Sequence, residues 1–241
     1  MATTFLLPVL IAASLSAPCD HVKGTGDVVK KTVPVGSFHG ILVEGAIDVE
    51  VTPGTAQQVE IEAQANLIEL VTTDVRNGIW TIGTGEKGYS TDKPFVVHIT
   101  VPSIDRVAIE GSGDVKALGA FTADEVELSV QGSGDLSWTT DAKSIKTTVQ
   151  GSGDIRLTGS CTALTAAVQG SGDINARGLS AGSASASTSG SGDIIVNTSG
   201  ELTASVEGSG DVVYQGSPAQ VRSSVNGSGE VRPAGAGHGP R

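Results

Sequence analysis

The tetrapeptide Gly-Ser-Gly-Asp recurs six times in the second half of this 241-residue chain, and a seventh copy ends in Glu. The copies begin at Gly111, Gly132, Gly151, Gly170, Gly190, Gly208 and Gly227, at steps of 21, 19, 19, 20, 18 and 19 residues. A period this steady predicts a repeat architecture in which each unit stacks on the last.

The residues around the motif alternate. Two positions before the first glycine stand Ile109, Val130, Val149, Val168, Thr188, Val206 and Val225. Six positions before it, five of the seven copies carry Val126, Ile145, Leu164, Leu202 and Val221. Between these lie polar or small residues such as Glu127, Lys146, Thr165 and Arg222. Directly after the acid come Val115, Leu136, Ile155, Ile174, Ile194, Val212 and Val231. Period-two alternation marks a strand with one buried face. The phase runs through the motif itself. It puts both glycines of each copy inward: Gly111 and Gly113, Gly132 and Gly134, Gly151 and Gly153, Gly170 and Gly172, Gly190 and Gly192, Gly208 and Gly210, Gly227 and Gly229. The serine and the acid point outward. The glycines read as a tight corner with no side chain to obstruct it. Each unit is then strand, glycine corner, strand and loop. The length variation falls in connectors such as 118–125 and 197–201.

Such a unit could form an antiparallel hairpin or one coil of a parallel β-helix. Identical motifs at one period favour the helix, because like positions then stack about 4.8 Å apart into columns of one residue type. The fold class is therefore all-β: a parallel β-helix (β-solenoid), expected right-handed, with coils of about 19 residues. The composition agrees. There are 33 Gly and only 3% aromatic residues, so the core must be thin layers of small and β-branched side chains.

The first half carries the same unit in degraded form. Gly24-Thr25-Gly26-Asp27 reads as an eighth copy, and Val43 to Val51 fits the frame with Ile47 in place of the second glycine. Trp80 and Phe95 supply bulkier core material, and 85–93 reads as an exposed loop. The expected organisation is an export signal over 1–19, less regular coils over 20–102, regular coils over 103–233 and a disordered tail over 234–241.

The export signal rests on the apolar run from Phe5 to Leu15, too short to span a bilayer as a mature helix. Cys19 follows, but Pro18 separates it from the small residues Ser16 and Ala17. That spacing favours simple secretion over a lipid anchor at Cys19. The other cysteine, Cys161, reads as a small residue in a connector, and its distance in sequence argues against a Cys19–Cys161 disulfide.

A net charge of -11 disfavours nucleic acid, which requires clustered Lys and Arg. The one chemically suggestive feature is the outward ladder. Stacking would align Asp114, Asp135, Asp154, Asp173, Asp193, Asp211 and Glu230 in one column, with Ser112, Ser133, Ser152, Ser171, Ser191, Ser209 and Ser228 beside it. Unit charges about 4.8 Å apart repel by roughly 1 kcal/mol in water. Two things could offset this: a local cap of each carboxylate on turn N–H groups, which is favoured, or a calcium ladder on Asp114 to Asp211. The calcium nonapeptides of secreted toxins repeat every nine residues, unlike this chain. His21, His39, His98 and His238 are scattered, and no Ser/His/Asp order or HExxH string occurs. Carbohydrate-cleaving β-helices use a unique pair of acids in a groove, whereas here the acids are repeated. Around Ile195, Val213 and Tyr214 the outward phase turns apolar, which marks a candidate contact patch.

The segment from Val35 to Gly45, then Asp48 to Val51, Asn66-Leu67, Val75 to Ile82 and Val101-Pro102, followed by the Gly-Ser-Gly-Asp series, resembles the head GIN domain family over residues 24–232. Those are bacterial exported proteins described as auto-transporter adhesins. The resemblance implies a β-helical fold and a cell-envelope location. It brings no catalytic residues and no cofactor.

The resulting expectation is a non-enzymatic, exported cell-envelope adhesin or scaffold presenting stacked polar ladders, located in the periplasm, on the outer surface or secreted. The alternatives are a carbohydrate-binding or carbohydrate-cleaving β-helix and a calcium-stabilised rod. No cofactor and no nucleic acid are expected. The partner, whether an envelope component, glycan or protein, is left open. So is homo-oligomerisation, since an open-ended stack has edges that invite pairing.

Overall fold

The computed structural model describes residues 21–235. The expected export signal with Cys19 and the tail from residue 236 onward lie outside the described residues. The rest is 67% strand and 2% helix, wound into a β-solenoid of about 7 turns with coils of about 19 residues.

Between Val115 and Gly190 one long strand runs from each glycine corner to the next, and in the later coils it divides in two, as in Ile194–Thr198 and Glu201–Gly208. Leu136–Gly151 pairs in parallel with Ile155–Gly170, with Leu136 opposite Ile155, Ile145 opposite Leu164 and Gly151 opposite Gly170. The same register continues through Ile174–Gly190 and the later coils. Like therefore sits on like, as the period requires. Unequal coil lengths are absorbed away from the corners. Lys116 pairs with Ser137 and Ala120 with Thr139, so four steps on one coil match two on the next. A smaller irregularity lies between Arg156 and Thr158.

The inward phase forms the core. Val130, Val149, Leu136, Ile155, Ile174 and Ile194 are all buried, each stabilising the fold by about 1.5–3 kcal/mol relative to exposure. One side chain from an expected connector joins them. Phe121 is buried and stacks on Trp138, with ring centroids 5.0 Å apart and planes at 13°. The segment around it is strand rather than loop.

The glycines sit closer to the neighbouring coil than the inward phase alone implies. The second glycine of each copy is buried, whereas the first is half-buried in six copies and exposed in the last, at Gly227. A Cβ on Gly153 would stand 2.1 Å from the carbonyl oxygen of Gly134 in the preceding coil. One on Gly151 would stand 2.4 Å from the carbonyl oxygen of Gly132, and Gly151 also has φ of +127°. The absent side chains would strike backbone along the stack, so the glycines set how closely the coils approach.

The first half departs from simple stacking. Gly40–Gly45 and Asp48–Pro53 form a coil whose corner lies under Gly111, with Gly45 opposite Gly111 and Val49 opposite Val115. The next segments, Ile79–Ile82 and Val96–Val101, stack on its far side. The chain thus leaves the stack after residue 53, builds an outer layer, and returns at Arg106. Gly24-Thr25-Gly26-Asp27, expected as an eighth copy, adds no coil. Its acid is 99% exposed and faces Lys93, and Val28–Thr32 pairs antiparallel with Gln58–Gln64. The local sequence fits the motif, but no coil of matching register lies beside it. The loop expected over 85–93 contains a short strand, Gly88–Ser90, paired in parallel with His21–Lys23.

This outer layer closes the first end of the core. Leu67 and Ile68 of the short helix Ala65–Ile68 are buried, as are Phe38, Val71 and Trp80. Phe38 and Trp80 pack at 5.5 Å, and the Trp80 indole N–H donates to the Thr72 carbonyl at 2.9 Å. Among the described residues, the last coil has no such cover. Val221 and Val225 are on the inward phase, which predicts them in the core, but they are 38% and 45% exposed because no described coil lies over them.

Charges tie the outer layer together across strands. The two ring nitrogens of His98 lie 3.1 Å from Glu50 Oε2 and 3.0 Å from Glu62 Oε2. Lys30 Nζ lies 3.1 Å from Glu62. The His98 hydrogen bond, then Lys30, hold the Glu62 carboxyl below the usual range.

Two predictions follow from this packing. Gly153→Ala should lower stability in urea melts by about 1–3 kcal/mol, the usual range for overpacking. Ser152→Ala, on the exposed phase beside it, should stay within about 0.5 kcal/mol. Second, a carboxyl whose pKa is lower when folded contributes stability above its unfolded pKa and loses it as pH falls through the folded value. Glu62→Gln should therefore lower the melting temperature at neutral pH, and the difference from wild type should shrink as pH drops below the ordinary Glu range.

Candidate functional site

The acids of the first four copies, Asp114, Asp135, Asp154 and Asp173, are exposed, Asp193 and Glu230 are half-buried and Asp211 is buried, while the residue after each acid from Val115 to Val212 returns to the core. The acids form one continuous column along the stack. The backbone N–H of Asp114 donates to Asp48 Oδ1 at 3.0 Å, and that of Asp135 to Asp114 Oδ1 at 2.9 Å. The pattern repeats for Asp154 on Asp135 (3.0 Å), Asp173 on Asp154 (2.8 Å) and Asp193 on Asp173 (2.7 Å). It ends with Asp211 on Asp193 (2.7 Å) and Glu230 on Asp211 (2.9 Å).

The expected local cap is therefore corrected. Each aspartate carboxylate of the column, from Asp48 to Asp211, caps the next coil's backbone, not its own turn. The reason is the close stacking at the corner: the carbonyl of Gly132 already accepts the N–H groups of Ser152 (2.8 Å) and Gly153 (3.1 Å) in the following coil. The N–H of Asp154 is left over, and the carboxylate one coil below reaches it. A charged acceptor strengthens such a bond and offsets part of the repulsion along the column. The column also begins earlier than expected, at Asp48.

Desolvation raises the Asp173 pKa, and the flanking Asp154 and Asp193 charges add to it, against the N–H donated by Asp193. At the far end, Arg232 lies 3.3 Å from Asp211 Oδ2, and Asp211 is buried. The serines Ser112 to Ser228 are exposed beside the column, as their phase predicts. Among the described residues, no group of three or more His, Cys, Asp or Glu side chains is placed to hold a metal ion.

The apolar patch expected around Ile195, Val213 and Tyr214 does not stand open. Val213 is 8% exposed, and Ile195 and Tyr214 are half-buried, because neighbouring coils cover them in register. Cys161 is a buried free thiol in a strand, not a connector, and desolvation pushes its pKa to about 11.

Two concave features were not expected. The first is an open cleft of about 810 Å³ between the 84–95 segment and the first glycine corners, lined by Tyr89, Lys93, Phe95, Gly111, Ser112 and Ser133 among others. Tyr89 meets Phe95 edge-on at 5.1 Å. Its hydroxyl is buried without a hydrogen-bond partner, and desolvation, with Asp48 nearby, raises its pKa. The sequence signal that could have found this cleft is the aromatic pair itself, set in a loop beside the first corners. The second is a groove of about 710 Å³ containing His39, Arg76, Arg106, Glu127 and Lys146. There His39 Nδ1 lies 2.9 Å from Asp105 Oδ1, and Glu127 is shared between Arg106 (3.3 Å) and Lys146 (3.0 Å). These charges satisfy one another across stacked coils.

The fold and surface define a β-solenoid whose acids are repeated and whose carboxylates mainly bind its own backbone. A family model described as "putative auto-transporter adhesin, head GIN domain" matches residues 37–218. The chain belongs to this family, whose description is that of a binding protein of the adhesin type. Solved structures share the fold. A putative adhesin from Bacteroides fragilis NCTC 9343 superimposes with a TM-score of 0.82 at 23% identity, covering 88% of this chain and 99% of the other. A putative adhesin from Parabacteroides distasonis ATCC 8503 gives 0.73 at 26% identity, covering 89% and 100%. A protein from the same organism described as a putative lipid binding protein gives 0.72 at 21% identity, again covering 89% and 100%. No curated protein matches the chain.

The carboxylate column predicts a graded response. Asp154→Ala frees the Asp173 N–H and should cost about 1 kcal/mol in chemical melts, since water reaches the freed group. Asp154→Asn keeps an acceptor oxygen and should cost less. Asp173 has the opposite sign. A carboxyl whose pKa is raised in the fold opposes folding when charged, so Asp173→Asn should be neutral or stabilising at pH 7.

Proposed function

We propose that the protein is a non-enzymatic adhesin or scaffold of the bacterial cell envelope, exported to act there, and that it works as a rigid presenter of repeated polar groups. The observation that carries this reading is the column from Asp48 to Glu230, in which each coil's acid is fixed by a hydrogen bond to the next coil. A site for catalysis needs one coil to differ from its neighbours in chemistry. The column and the serine row instead repeat the same groups from coil to coil. The family description supports an adhesive role, and export is the setting in which such a surface meets an envelope component.

A carbohydrate-binding reading has its own support in the cleft beside the first corners. There an aromatic wall of Tyr89 and Phe95 faces bare glycine backbone and the hydroxyls of Ser112 and Ser133.

The test is retention of the purified protein on isolated envelope fractions and on immobilised glycans. Adhesion predicts saturable retention that falls several-fold when Asp114, Asp135 and Asp154 are changed together to Asn. Retention that survives those changes but is lost in Tyr89→Ala would move the function to the cleft. No retention on any fraction would remove both readings.

A further inference from the structure

The two runs of the sheet have four outer edges, and three of them are blunted. At the first end, one run stops at Val28–Thr32, which carries Lys30 and Lys31, and the other at the two-residue strand Val75–Arg76. At the last end, one run stops at Val231–Pro233, where proline has no N–H to offer. Lysines, short strands and proline are the usual devices against edge pairing. The fourth edge, Gln220–Gly227, has none of them. It is eight residues long, lacks proline, and holds one charged residue, Arg222, already paired with Glu201. Its residues are all exposed, among them Val221 and Val225. In the coil below, the partners of these valines, Leu202 and Val206, are buried.

We propose that Gln220–Gly227 is a dimerisation edge that pairs with the same strand of a second copy, antiparallel and tail to tail. Such pairing about a two-fold axis is self-complementary only in a register that keeps each face continuous. Centring the axis on Ser223 sets Val221 of one copy opposite Val225 of the other, twice, and extends both cores across the interface. It sets Arg222 opposite Ser224 and Gln220 opposite Asn226, so no like charges face each other. Centring on Arg222 would oppose the two arginines. Head-to-tail stacking is closed off, because the first end is covered by antiparallel strands and the helix Ala65–Ile68.

The experiment is sedimentation velocity on the purified full chain over a concentration series, with cross-linking as a second readout. Wild type should sediment at twice the chain mass, and Val221→Lys with Val225→Lys should return it to the monomer without changing its circular dichroism. Opposed residues at a two-fold axis lie within disulfide reach. In a background with Cys19 and Cys161 changed to Ser, Ser223→Cys should therefore give a covalent dimer on oxidation, and Ser224→Cys should not. A wild-type monomer at about 100 µM, well above the micromolar range of a specific dimer, would overturn the proposal. So would a dimer that survives both lysines, or equal cross-linking at positions 223 and 224.

Discussion

Backbone lies on backbone at every corner of this solenoid. The carbonyl of one glycine occupies the space in which the next coil's Cβ would stand, so consecutive corners approach as closely as peptide groups allow. Several other features depend on that distance. It puts two N–H groups of each coil on one carbonyl of the coil before, and it leaves the acid's own N–H to be met by a carboxylate. It also holds the flanking strands in register, so that valine falls on valine and leucine on isoleucine. A side chain at the corner would push the coils apart and weaken the carbonyl bonds, the carboxylate ladder and the core layer together.

The acid is therefore a structural element first and a surface group second. Each aspartate of the column, from Asp48 to Asp211, uses one oxygen to satisfy the next coil, and at Asp211 the other oxygen meets Arg232. The resulting row of negative charge is regular because the hydrogen bonds make it so. Its cost is visible at Asp173, whose pKa is raised by desolvation first and then by neighbours of the same sign on both sides. The column is relieved at its end, where Arg232 meets Asp211. An adhesive surface built this way gains rigidity from the same bonds that stabilise the fold.

The repeat made most of this legible from the sequence. The period gave the coil, and the alternation gave the inward phase from Val126 to Val212. The order of motifs from Val35 to Pro102 pointed to the family. Period alone does not say which coil's N–H a side chain will reach, so the acids looked like caps of their own turns. The 79–101 segment carries no corner motif, and its position outside the 40–53 coil follows from pairings with no local signature. Phe121 was hidden in a stretch whose length variation resembled a loop. Val221 and Val225 show a different limit: alternation reports which way a side chain faces, and not whether another layer exists to cover it.

The excursion between residues 53 and 106 has a consequence for how the chain can be assembled. The closed end is complete once Val101 is in place, before the first Gly-Ser-Gly-Asp copy has been made. Every later coil then needs only the finished coil beneath it as a template, and none depends on sequence still to come. Growth is polar: it starts on a seed built from long-range antiparallel pairings and proceeds by local addition toward the C-terminus. Coils could accordingly be gained or lost in the middle of such a gene with the seed and the final edge unchanged, which makes the length of the rod the most freely variable property of this architecture.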